Sequence, residues 1–293
     1  MQLSVVIPLL NKHEMSRAVL REIINNSSEE TEFVVIDNGS KVPFVFDDPR
    51  VKIVRNDKSN GVYPTFAQGF RETKGDVVAF FHSDLVVWEK GWDQRVVASF
   101  LVNPKLGMVG FIGSNEIDSS GGRGLGTTSS FMGRSLSSDE PLDDEGSTWT
   151  GSAAHHHGKT DVGMTRAAVV DGCAMIIKRD AWNDIGVKEG FPPHHFYDRL
   201  ISTQLLEKNW QIGVLGIEID HFSGQTVNTQ KEYQQMAWEW LWRNGHLEDK
   251  TVDGLTYLPF DTAHNYDEDI YRLAEKMWMD EYRPKGFIPY KAN

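Results

Sequence analysis

The stretch densest in chemistry is "GDVVAFFHSDLVV", residues 75–87, where an apolar run gives way to His82, Ser83 and Asp84 before apolar residues resume. Imidazole and carboxylate are side chains that move protons and ligate divalent cations. Standing two residues apart at the end of a run that reads as a buried strand, they need a place where polar groups are useful. Other histidines cluster as His155 to His157 in "AAHHHG" and as His194 and His195 in "PPHHF". Adjacent histidines in a strand or turn diverge, and no cysteine accompanies them, so a structural zinc site is not expected. A loop that closes over a ligand is the functional expectation for them, and a solvated loop the plain one. Cys173, beside Gly172, reads as core packing rather than as a nucleophile.

The elements that must position these groups follow from periodicity. The first hundred residues alternate short β-branched runs with helix-like segments, the pattern of a parallel sheet with helices on its faces. Strands are predicted over 3–8, 32–36, 51–54 and 77–81, and helices over 13–25, 63–73 and 92–101. Polar or glycine-containing turns follow each strand: "NK", "DNGS", "RNDKSNG" and "HSD". In open α/β sheets a ligand sits outside the carboxyl ends of the strands, so these four turns should converge on one crevice. From 113 to 165 the chain is rich in Gly, Ser, Thr and Asp without sustained periodicity, which predicts a long loop. Order resumes at "AAVVDGCAMIIKRDAW", a strand pair around Gly172 leading into a short helix. "FYDRLISTQLLEKNW" then reads as a helix with Leu200, Ile201, Leu205 and Leu206 on one face, and "QIGVLGIEIDHFSGQT" as strand and turn. Helices are also predicted over 230–243 and 267–282. In the first, Met236, Trp238 and Trp242 form an apolar stripe, and Trp240, on another side, is the aromatic available to stack on a ligand ring.

The bulk numbers exclude several classes. A chain of 293 residues accommodates one α/β domain with an appended piece, or two domains. With 40% hydrophobic and 25% charged residues it is not a disordered chain. A formal charge of −12 argues against a duplex-wide nucleic-acid footprint, which needs clustered cations. The single cysteine excludes an intrachain disulfide and suits a reducing compartment, so a cytoplasmic location is expected. The apolar run at 3–10 is too short for a signal peptide or a membrane span, and no run of about 18 apolar residues occurs elsewhere, so no membrane span is expected.

Six segments in order, "SVVIPLLNK", "FVVIDNGS", "NDKSNGVYPTFAQGFRETKGDVVAFFHSD", "VVDGCAMIIKRDAW", "FYDRLISTQLLEKNW" and "IDHFSGQT", make the chain over residues 2–226 resemble glycosyltransferase family 2, nucleotide-sugar enzymes of the GT-A fold. The resemblance implies an α/β, Rossmann-like fold with a mixed, mainly parallel sheet flanked by helices over 1–226. The stretch 113–165 would be a flexible active-site loop, and 227–293 a helical C-terminal extension shaping the acceptor site or a subunit contact, as in a homo-oligomer. It implies that Pro8, Leu9, Asn11 and Asp37 hold the nucleotide, although Asp37-Asn38-Gly39 also reads as a turn chosen for its backbone. Asn60 and Gly61 precede a helix whose N-terminus would face the pyrophosphate, and Gln68 stands where the family usually has Asn. His82, Ser83 and Asp84 occupy the place of the family's Asp-X-Asp. Asp84 would ligate Mg²⁺ or Mn²⁺ against the donor diphosphate, with His82 and Ser83 beside the donor. A directly coordinating imidazole favours Mn²⁺. His221 matches a late histidine that reaches the same cation or its phosphate, and Gly172 joins the nucleotide-sugar-binding set. Asp198 matches the general base, the family's Glu-Asp pair being Tyr197-Asp198 here; a carboxylate at a helix start also suits the helix dipole alone.

The implied activity is a metal-dependent, inverting transfer of a sugar from a nucleotide-diphosphate donor to an acceptor hydroxyl by direct displacement through an oxocarbenium-like state. Two alternatives stand beside it: a nucleotidyltransferase of the same fold, which needs basic residues around a triphosphate, and a non-catalytic glycan-binding or scaffold protein. The departures at His82, Gln68 and Tyr197 keep the second in play. The acceptor is open among a glycan, a protein, a small molecule and a modified nucleic-acid base.

Overall fold

The computed structural model describes residues 1–114, 163–221 and most of 231–246, together with the backbone of short strands at 117–118, 127–130, 134–136, 154–156, 159–161, 251–252 and 255–256. The chain opens with β1 (Leu3–Leu9), α1 (His13–Asn26), β2 (Glu32–Asp37), β3 (Val51–Arg55), α2 (Val62–Glu72), β4 (Val77–Phe81), β5 (Leu85–Val87) and α3 (Trp92–Val102). Then come β6 (Leu106–Gly110), β7 (Ile112–Ser114), β8 (Ile117–Asp118), β9 (Thr127–Ser130), β10 (Arg134–Leu136), β11 (Ala154–His156), β12 (Lys159–Asp161), β13 (Met164–Arg166) and β14 (Val169–Val170). The rest is β15 (Ala174–Lys178), α4 (Arg179–Ile185), α5 (Tyr197–Glu207), β16 (Gln211–Leu215), β17 (Ile219–His221), α6 (Lys231–Arg243), β18 (Thr251–Val252) and β19 (Leu255–Thr256).

An eight-stranded sheet in the order β13-β16-β6-β15-β4-β1-β2-β3 is the frame. Its β4-β1-β2-β3 part is parallel, while β15 runs antiparallel between β4 and β6. Parallel strands covered on both faces read as continuous apolar runs, and "VVAFF" of β4 is buried at every position. Side chains of β1 alternate between two cores. Leu3, Val5, Ile7 and Leu9 meet Val19, Leu20 and Ile23 of α1 and Trp92, Val96 and Phe100 of α3; Val6 faces Phe66 and Phe70 of α2, with Trp182 of α4 and Leu200 of α5 in the same core. Burying one such large side chain contributes about 1.5–3 kcal/mol relative to leaving it exposed. Gly69 lets α2 settle on the sheet, because a Cβ there would lie 2.2 Å from Val6 Cγ1.

The predicted strands and helices of the first hundred residues match the observed ones to within a residue at each end. The stretch from 113 to 165 differs from the loop expected there. It carries β8 to β12, strands of two to four residues paired with distant partners: β9 with β7, β10 with β17, β19 with β8. Strands so short leave no periodic signature. The strand pair around Gly172 also divides, since β14 pairs with β7 whereas β15 enters the main sheet. In α6 the buried residues are Ala237 and Leu241, with Trp238 and Trp240 packed on the second core, and Met236 is 52% exposed, so the expected Met236 stripe is not the buried face. The helix expected over 267–282 and the side chains of His155 to His157 and Trp242 lie outside the described residues. No helix among the described residues is long and apolar enough to cross a membrane.

Candidate active site

The turn between β4 and β5 is His82-Ser83-Asp84, half-buried beyond the carboxyl end of a central strand. Its shape is set by the His82 N–H, which donates to the Cys173 carbonyl (3.0 Å), and by Leu85 N–H donating to the His82 carbonyl (3.3 Å). β5 then pairs antiparallel with β17 so that His221 lies opposite Leu85. That register brings residues 84 and 221 together. Asp84 Oδ1 is 3.4 Å from His221 Nε2 and 3.8 Å from His82 Nδ1, and the ligand atoms of the three residues lie within 4.8 Å of one another.

Burial alone would push the Asp84 carboxyl up, but His221 first and then His82 outweigh it and hold it below the usual carboxylate range. Burial pulls His82 down further than Asp84 raises it, so its imidazole is neutral near pH 7 and keeps one nitrogen lone pair. Asp84 Oδ1 is buried and has no hydrogen-bond partner among the described residues. A buried carboxylate oxygen without a donor is costly and fits a cation. With two imidazoles beside it, the donor set suits a divalent ion of the borderline transition-metal type.

Asp198 opens α5, where its carboxylate accepts from the Gly172 N–H (3.0 Å), from the Arg199 backbone N–H (3.0 Å) and from the Arg199 guanidinium. Gly172 is placed where only a glycine fits, since a Cβ would stand 2.8 Å from the Tyr197 ring and hydroxyl. Tyr197, one residue before Asp198, shares a 2.6 Å hydrogen bond with His82 Nε2. Burial, with Asp198 and Asp171 adding, pushes the Tyr197 phenol well above its ordinary value, so it stays protonated. This contact is one that sequence reasoning missed; the two residues stand 115 apart and nothing local links them.

The residues expected to hold the nucleotide lie in the turns after β1, β2 and β3. Pro8 is half-buried and Leu9 buried, in register with Ile36 and Asp37. Asn11, at φ 56°, clips the first turn to the second: its N–H donates to Ser40 Oγ (2.8 Å) and its Oδ1 accepts from Lys41 N–H (3.0 Å). Asp37 is wholly buried and points into the turn, where it accepts from Ser40 N–H (2.9 Å), Phe44 N–H (3.0 Å) and the Arg55 guanidinium. Its effect on a ligand would pass through the shape of that turn. Asn38 ties the second and third turns, accepting from Asn60 N–H and Asn56 Nδ2 (both 3.1 Å) and donating to the Gly61 carbonyl (3.2 Å). Gln68 pairs amide to amide with Asn56 at 2.8 and 2.9 Å. Gly61, at φ 82°, precedes α2, but the N–H groups of Val62 and Tyr63 both donate to the Pro193 carbonyl (2.9 and 3.1 Å). The anion site expected at this helix start is therefore filled by the chain's own carbonyl, a partner from the segment before α5 that the local sequence does not reveal. Trp240 packs edge-on against Phe191 (5.1 Å) and flat on His246 (5.7 Å), a packed position rather than the ligand-stacking one expected.

The mixed, mainly parallel sheet flanked by helices is the GT-A fold. The structure of GalNAc-T7 with UDP, GalNAc and Mn²⁺ is similar at a TM-score of 0.58 and 13% identity, over 84% of this chain and 49% of that one. A mannosyltransferase, PcManGT from Pyrobaculum calidifontis, in complex with GDP-Man and Mn²⁺, is similar at a TM-score of 0.53 and 11% identity, over 98% of this chain and 76% of that one. At these identities the likeness shows the fold, and the chain spans about half the length of GalNAc-T7. No curated protein matches the chain in sequence. The family model described as glycosyl transferase family 2 matches residues 4–186, and the chain belongs to that family.

Proposed function

We propose that the protein is a metal-dependent, inverting glycosyltransferase that moves a sugar from a nucleotide-diphosphate donor to an acceptor hydroxyl. The observation that carries this reading is the buried Asp84 Oδ1, which has no hydrogen-bond partner among the described residues and is flanked by His82 and His221 at the carboxyl end of β4. Asp84, His221 and His82 would hold a divalent cation, Mn²⁺ more readily than Mg²⁺, which when bound would supply positive charge against the leaving diphosphate. The turns carrying Pro8, Leu9, Asn11, Asp37, Asn60 and Gly61 shape the nucleotide side, and Ser83 and Gly172 border the donor. Asp198 takes the proton of the acceptor hydroxyl, which attacks the anomeric carbon on the face opposite the diphosphate, so that one displacement inverts the configuration. The donors to Asp198 from Gly172 and Arg199 fix the carboxylate in place for that transfer.

Family membership and the two neighbours crystallised with UDP and GDP-Man support a sugar-nucleotide donor. The test is a thermal-shift panel of nucleotide sugars with and without Mn²⁺, because a ligand bound only by the folded state raises stability with the logarithm of its saturation. One donor should raise the melting temperature in the presence of Mn²⁺ and release free nucleotide on incubation. A panel flat for every donor, with no nucleotide released, would sink the proposal.

A further inference from the structure

Resting on the metal-site reading above, we propose that Tyr197 is a positioning residue whose hydroxyl oxygen accepts the Nε2 proton of His82 and so presents the unprotonated Nδ1 as the third donor to the cation. A neutral imidazole carries one N–H, and the nitrogen without it is the one that can ligate. His82 Nε2 lies 2.6 Å from the Tyr197 hydroxyl, while Nδ1 faces Asp84 Oδ1 at 3.8 Å. Were the proton on Nδ1, the nearby carboxylate would be its natural acceptor. Yet 3.8 Å exceeds hydrogen-bond length and Asp84 Oδ1 has no hydrogen-bond partner among the described residues. The arrangement therefore places the proton at Tyr197 and the lone pair among the carboxylate and His221.

Both rings are held in that orientation by packing. Tyr197 lies parallel to Tyr63 (centroids 6.5 Å, 8° between planes) and edge-on to Phe66 (5.6 Å, 71°), with the Cβ-free side of Gly172 against its hydroxyl. Phe66 also lies parallel to His82 (6.5 Å, 10°), so the imidazole is held by its ring face and by one nitrogen. Hydrogen bonds of this kind to the far nitrogen of a ligating histidine fix its tautomer and orientation, and losing one typically weakens metal binding about 10–100-fold.

Tyr197→Phe keeps the ring and removes only the hydroxyl. Mn²⁺ binding to the metal-free full chain, followed by the loss of the free-ion EPR signal, should weaken about 10–100-fold in this variant, with the metal-free variant still folded, as a cooperative melting transition shows. Independently of the variant, ¹⁵N-histidine spectra of the wild-type metal-free protein at neutral pH should show His82, assigned through His82→Gln, protonated on Nε2 alone. In Tyr197→Phe the two tautomers should mix. Wild type that binds Mn²⁺ together with a variant that binds it within about threefold, or a wild-type His82 protonated on Nδ1, overturns the role of Tyr197 and leaves the metal site standing. Wild type that takes up no Mn²⁺ overturns the metal site and this inference together.

Discussion

Replacing Asp37 by alanine should destabilise the protein by about 4 kcal/mol, most of it from two backbone groups. The carboxylate is fully buried and accepts from Ser40 N–H at 2.9 Å and Phe44 N–H at 3.0 Å. Each N–H left without an acceptor in the interior costs about 1–3 kcal/mol. The Arg55 guanidinium also donates to Asp37, but its side chain is 38% exposed, so water replaces much of that contact and its loss adds about 0–1 kcal/mol. Asp37→Asn retains one carbonyl oxygen and turns an NH₂ toward another donor, so it should cost roughly half as much, about 2 kcal/mol. Urea unfolding followed by tryptophan fluorescence measures both, provided the slope is unchanged and the midpoint shifts. The sign of the pH dependence follows as well. Burial alone would raise this carboxyl, but the donors from Ser40 and Phe44 and the charge of Arg55 outweigh it, and its native pKa lies below the usual range. Its contribution is complete above the unfolded value of about 3.9 and fades as pH falls through the native one, so wild type and Asp37→Asn should converge in acid. An Asp37→Ala protein within about 0.5 kcal/mol of wild type would refute the reasoning and return Asp37 to a purely ligand-binding role.

Asp84→Asn should abolish the Mn²⁺-dependent thermal shift given by a nucleotide sugar, because a neutral amide replaces the carboxylate among the two imidazoles, and at neutral pH it should lower metal-free stability modestly, because His221 and His82 hold that carboxyl below its ordinary range; a Mn²⁺-dependent shift of wild-type size in the variant would count against a cation site. Gly172→Ala should cost about 1–3 kcal/mol in urea unfolding through its clash with the Tyr197 ring at 2.8 Å, and should weaken Mn²⁺ binding through the displaced Tyr197. His246 is held below its ordinary pKa by burial, with Lys188 reinforcing and Glu207 opposing. The docking of α6 is therefore fully stable above the unfolded value of about 6.5 and weakens as pH falls below it. Fluorescence of Trp240, stacked on His246, should report that loosening in wild type and not in His246→Gln; tighter docking in acid would contradict the assigned sign.

What the sequence made legible is what it encodes locally. The run 77–81 is both the predicted and the observed strand because five buried apolar positions flanked by polar turns admit few other arrangements, and the helix over 13–25 follows from its own periodicity. The convergence of the turns after β1 to β4 was legible from topology alone. Other features depend on partners far along the chain. The Pro193 carbonyl that fills the start of α2 comes from a segment about to begin another helix, and His195 and Phe196 beside it adopt positive φ values of 60° and 51° that no residue type announces. The helical angle of Trp240 sets it away from the stripe, but Phe191 and His246 come to meet it.

The two departures that most weakened a catalytic reading of the sequence meet in space. Imidazole at 82 and phenol at 197 each stand where the family resemblance expects a carboxylate, and in the fold they are hydrogen-bonded to each other. Two carboxylates that close would repel unless a cation lay between them, and one carboxylate facing the imidazole would bind its proton and favour its charged form. A phenol held protonated by burial does neither, and it shares a hydrogen bond with a neutral imidazole. With both positions changed, the pair stays neutral, whereas a carboxylate at either would place a further negative charge beside Asp84. The single carboxylate left in the cluster, Asp84, then carries the whole negative charge offered by these three residues. Such a site should hold a divalent cation less by charge than by imidazole donors, which argues for Mn²⁺ over Mg²⁺ in direct competition. His82→Asp combined with Tyr197→Glu should move that preference back toward Mg²⁺, and an unchanged ratio in the double variant would mean that the imidazole of His82 is not a ligand.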